Sequence, residues 1–170
     1  MNAGRAAGMS CIALVLLTAA AQAEPASVRL GPATIRYDAA RFTVTSSAAG
    51  ADFSPQPDAK DLSSVKVRVV SGAEADCDTL LLRAFELNLY AVEYLQSFPI
   101  AIGGRKGVRY SVHTRCRNAT PIGEAACVNS GARAYLLTSV QVSCRSANPF
   151  VGTDALREIA RGIAFDAPPN

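Results

Sequence analysis

The chain has 170 residues, 49% of them hydrophobic and 18% charged, with 17 basic against 14 acidic side chains and a net charge of +3. That is one domain's worth of sequence with enough apolar content for a real core. So small a net charge excludes the strongly basic make-up of a nucleic-acid binder, and only Tyr135 would interleave as an aromatic platform.

Residues 1–23 have the pattern of a signal peptide: Arg5 in a basic start, an apolar run from Cys11 to Ala21, and Ala21-Gln22-Ala23 as a cleavage site before Glu24. The run is too short for a comfortable membrane span. A lipid anchor on Cys11 fits poorly, because that cysteine precedes the apolar run instead of following it. The expected product is a periplasmic or secreted chain, residues 24–170, forming a single α+β domain with no transmembrane anchor.

Val28–Leu30 and Ala33–Tyr37 are short strands broken by Gly31-Pro32, and Arg41–Thr45 returns as a strand with Phe42 and Val44 inward. Ser46–Ser64 is polar and holds Gly50, Pro55, Pro57, Asp52, Asp58 and Asp61, which predicts a surface loop. The aspartate spacing matches no EF-hand loop. Val65–Val70 alternates as a strand. Ser71-Gly72-Ala73-Glu74 then has the spacing of a capping box, with Glu74, Asp76 and Asp78 complementing the dipole of a helix that carries Leu81, Leu82, Ala84, Phe85 and Leu89. The helix ends between Asn88 and Leu95, and Pro99–Ile102 is a strand turned by Gly103-Gly104.

Gly107–Arg117 alternates strictly. Val108, Tyr110, Val112, Thr114 and Cys116 point one way, and Arg109, Ser111, His113, Arg115 and Arg117 the other. Ala132–Arg145 repeats the pattern, with Ala134, Leu136, Val140, Val142 and Cys144 inward and Arg133, Ser139, Gln141, Ser143 and Arg145 outward. Residues 24–100 hold 7 basic and 10 acidic side chains, whereas 101–161 hold 9 and 3. The basic excess therefore lies on these strands and on the last helix, where Leu156, Ile159, Ala160 and Ile163 form an inward face behind a cap at Thr153 or Asp154. Ala164-Phe165 adds a short extended end.

Without the leader four cysteines remain: Cys77, Cys116, Cys127 and Cys144. An even count in an exported chain predicts two disulfides, for which three pairings exist. Cys116 and Cys127 flank a short polar loop, which favours Cys116–Cys127 with Cys77–Cys144. No pair has C-x2-C spacing, so zinc is disfavoured, and no cofactor or metal is implied.

A reaction site is hard to find. His113 is the sole histidine and has two readings, an acid–base group beside arginines or an ordinary solvent-facing strand residue; the second needs fewer assumptions. No G-x-S-x-G elbow or phosphate-gripping glycine loop is present. The arginines carry more information. Arg109, Arg115, Arg117, Arg133 and Arg145, with His113 and neighbouring Arg105 and Lys106, are candidates for binding a protein or an anionic envelope component.

The element order is hairpin, strand, capped helix, antiparallel strands and a short final helix. The segments Tyr37–Val44 (YDAARFTV), Ile102–Tyr110 (IGGRKGVRY), Tyr135–Val142 and Leu156–Phe165 (LREIARGIAF) carry a resemblance to the PsbP/Mog1-like α/β/α sandwich family. The resemblance implies an antiparallel sheet flanked by a long central helix and a short C-terminal helix. It also implies a non-enzymatic accessory protein that binds a larger partner. The four cysteines and the arginine-studded strand depart from that pattern, and no catalytic residue carries over. A secreted hydrolase-like enzyme using His113 on an anionic substrate is the alternative, and an inhibitor of a secreted enzyme the third possibility.

Overall fold

The computed structural model describes residues 25–59, 62–72, 75–86, 94–113, 121–140 and 152–166. Among the described residues ten strands and two helices follow one another as β1 (Ala26–Leu30), β2 (Ala33–Tyr37), β3 (Phe42–Ser47), β4 (Gly50–Pro55), β5 (Val65–Ser71), α1 (Cys77–Glu86), β6 (Tyr94–Ile102), β7 (Arg105–His113), β8 (Pro121–Ser130), β9 (Arg133–Val140), α2 (Gly152–Gly162) and β10 (Ile163–Phe165). The class is α+β with antiparallel sheets, as expected. One sheet has seven strands in the order β3-β4-β5-β9-β8-β7-β6, and a smaller one has the order β1-β2-β10.

The side-chain alternation of β8 and β9 divides the molecule into layers. Ala126, Val128, Tyr135 and Leu137 join a core with Leu156 and Ile159 of α2 and with Leu30, Ala33, Ile35 and Ile163 of the small sheet. Ala125, Cys127 and Ala134 face the opposite way and pack with Leu80 and Leu81 of α1. The large sheet is therefore covered on both sides, by α1 on one and by α2 with the small sheet on the other. A strand with two covered faces has no wet side. This corrects the outward placement of Arg109, Ser111 and Ser139, which are buried, with Arg109 9% and Ser139 1% exposed, while Arg133 at the start of β9 is exposed as expected.

Three other local expectations change. Ser46–Ser64 is not all loop: Gly50–Pro55 forms β4, with Ala51 and Phe53 buried and paired between β3 and β5. A Cβ on Gly50 would sit 2.1 Å from the Val67 carbonyl oxygen, so only glycine allows the strand to begin there. Ser71 belongs to β5, and the cap of α1 is Asp76, whose carboxylate accepts from the Thr79 backbone N–H at 2.9 Å and from the Thr79 hydroxyl. Those bonds from Thr79 hold the Asp76 carboxyl below its usual range. Glu74 lies outside the described residues. β6 starts at Tyr94, well before Pro99.

The disulfide joins Cys77 to Cys127, with Cα atoms 5.4 Å apart, and so replaces both favoured pairings. Cys127 lies opposite Val108 in the ladder, and β7 carries the chain about 16 Å further on by His113. Cys116 and Cys144 lie outside the described residues.

Tyr135 ties the two sheets together. Its hydroxyl donates to the Leu30 carbonyl at 3.1 Å, and its ring meets Phe165 edge-on at 5.1 Å. Burial pushes the hydroxyl's pKa up, which keeps it a donor. Tyr135→Phe should leave the Leu30 oxygen without this donor and cost about 1 kcal/mol, read as a melting temperature lower by about 3 °C. An unchanged melt would remove the bond from any account of how the sheets are joined.

Candidate functional site

Two surfaces compete: the arginine face expected from the strand pattern, and the boundary between α2 and the β6–β7 hairpin. Arg133 is exposed at the start of β9, two strands across and four residues along from the level of Arg109. Arg109 points into the layer beneath α2. His113 is the last residue of β7, just past a register shift at Val112/His113. Arg115, Arg117 and Arg145 lie outside the described residues. Arg109 is buried and Arg133 exposed, so the two do not form one exposed patch.

At the α2 boundary, apolar spacing turns Leu156, Ile159, Ala160 and Ile163 into the core and leaves Arg157 and Arg161 together on one flank, four residues apart. β6 and β7 extend beyond that flank. A cleft of about 400 Å³ lies between, walled by Pro99, Ile100, Ala101 and Ala160 and lined by Arg109, Arg157 and Arg161. Glu158, also on α2, is taken by Arg41 at 3.0 Å. Neither Arg157 nor Arg161 has an ion pair or side-chain hydrogen bond among the described residues.

Arg109 is held. Its Nη1 donates to Glu124 Oε1 at 2.8 Å, and its guanidinium stacks over the Phe98 ring at 4.7 Å. Glu124 is 2% exposed, between the Ser111 and Ser139 positions of the neighbouring strands. The cleft therefore contains three guanidinium groups for one adjoining carboxylate, a net positive site with one rigid member. A second hollow of about 660 Å³ takes in Phe98, Pro99 and Ile100 with Arg105 and Lys106, so cations surround the hairpin. Within the large sheet β6 is an edge strand, and Pro99 offers no N–H there. Strand addition along it is blunted, and side-chain recognition in the cleft is favoured.

The inward face expected for the last helix, on Leu156, Ile159 and Ala160, already implies that Arg157 and Arg161 lie on its outside at i, i+4 spacing. Their meeting with Arg109 is not implied, because it depends on α2 crossing the β7 side of the sheet. Glu124 was missed altogether: it lies in β8, a strand whose small side chains show no strong apolar rhythm. Among the described residues no group of three or more His, Cys, Asp or Glu side chains could hold a metal ion, and no helix is long and apolar enough to cross a membrane.

No family model matches the chain, and no curated protein sequence matches it. Among solved structures, it is similar to the solution structure of cyanobacterial PsbP (CyanoP) from Synechocystis sp. PCC 6803, at 8% sequence identity. The match covers 79% of this chain and 86% of that one, with a TM-score of 0.47. This is a weak likeness of fold and carries no functional assignment.

Proposed function

We propose that this chain is an exported, non-enzymatic accessory protein of the cell envelope that docks an anionic partner in the cleft between α2 and the β6–β7 hairpin. The carrying observation is that Arg157 and Arg161, without acidic partners among the described residues, line one cleft with the anchored Arg109. Export is supported by the signal-like residues 1–23 and by a disulfide, which persists in oxidising compartments. A binding role is supported by the lining itself. The lining groups are guanidinium cations and the remaining walls are apolar, so the cleft can hold negative charge but offers no acid–base pair for proton transfer. The enzyme alternative relies on His113, four residues and about 13 Å along β7 from Arg109.

Immobilised wild-type protein should retain an envelope component that Arg157→Ser/Arg161→Ser loses and His113→Ala keeps. Equal retention by the arginine variant would move the docking surface elsewhere. A hydrolytic turnover abolished by His113→Ala would replace the accessory reading with the enzymatic one.

A further inference from the structure

We propose that the cleft is selective for a phosphomonoester, held between Arg157 and Arg161 with Arg109 as a fixed third donor; this rests on the reading of the cleft as an anion site. Charge is the first reason. Three guanidinium groups against the Glu124 carboxylate leave a surplus of two positive charges, which a dianion balances and a single carboxylate does not. Geometry is the second. One planar guanidinium fork satisfies both oxygens of a carboxylate, whereas a phosphate presents three terminal oxygens and accepts forks from several arginines at once.

Arg157 and Arg161 are like charges at i, i+4, a spacing at which they repel; Asp154, three residues before Arg157, offsets part of that, while Glu158 is engaged by Arg41. Complementing the helix dipole accounts for Arg161 in the last turn of α2 but not for Arg157 a turn earlier. Arg109 needs no ordering on binding, because Glu124 and Phe98 already hold it. The space exceeds a bare phosphate, and Pro99, Ile100, Ala101 and Ala160 form an apolar wall suited to the carbon skeleton of an ester.

The test is calorimetric titration of the oxidised protein in phosphate-free buffer with glycerol phosphate, succinate and acetate. Glycerol phosphate should bind saturably and at least about tenfold more tightly than either carboxylate, since only it matches both charge and fork geometry. Arg157→Ser/Arg161→Ser should abolish that binding without shifting the thermal melt. Arg157→Lys/Arg161→Lys, which keeps charge but removes the forks, should weaken it several-fold. If succinate binds as tightly as glycerol phosphate, or the lysine variant binds as well as wild type, the phosphate assignment falls and the anion site stands. If no anion binds the wild type, both fall. Vesicles of phosphatidylcholine with or without phosphatidate separate the sources: co-sedimentation displaced by glycerol phosphate assigns a lipid headgroup, and binding of the soluble ester alone assigns a free metabolite.

Discussion

Removing the Cys77–Cys127 bridge, as Cys77→Ser/Cys127→Ser, is expected to destabilise the protein by about 4 kcal/mol, from the loop-closure entropy of a separation of 50 residues. For a domain of this size that corresponds to a melting temperature lower by about 10 °C. The effect should be concentrated in α1. Cys77 is its first residue, and the described helix is ten residues long, too short to be stable unless packed. Its other attachment is Leu80 and Leu81 against Ala125 and Ala134. Urea denaturation followed by circular dichroism measures the loss, and a change below about 1 kcal/mol would show that this packing suffices without the bridge.

The same bridge bears on the remaining thiols. With Cys77 and Cys127 joined, Cys116 and Cys144 are the pair left for a second disulfide. The strands preceding them, β7 and β9, flank β8 and end at the same side of the sheet, since His113 pairs with Pro121 and Val140 with Gly123. Peptide mapping of the unreduced protein should therefore find Cys116 linked to Cys144 and no free thiol within residues 24–170.

Much of the architecture was legible wherever large apolar residues alternate. Val65, Val67 and Val69 in β5, Val108 to Val112 in β7 and Leu156 to Ala160 in α2 lie where periodicity puts them, whereas Ile163, expected on the same helical face, begins β10. It failed where burial uses small residues. β8 carries Gly123, Ala125 and Ala126, which are buried because the strand is central and not because they are strongly hydrophobic. Missing β8 removed the strand that places Cys127 under α1, and the pairing error followed. The site failed for another reason. Alternation tells which residues share a face, not whether a face is wet, and Arg109 is inside because a second layer covers that face.

Replacing Arg109 by alanine should cost on the order of 3 kcal/mol, because it takes the guanidinium away from a carboxylate that is almost fully buried. The buried charge of Glu124 is tolerated in the folded protein through that bond and would lose its strongest partner. Arg109→Met/Glu124→Leu should behave differently. Two apolar side chains of similar bulk remove both charges together, and such exchanges are often neutral or stabilising. The double variant should therefore unfold within about 1 kcal/mol of wild type while binding anions more weakly, since the anchored donor of the cleft is gone. Urea titrations of both variants beside the wild type decide the point. If the alanine variant is as stable as the wild type, the pair has no structural role; if the double variant falls as far as the single one, Arg109 acts through packing against Phe98 and not through charge.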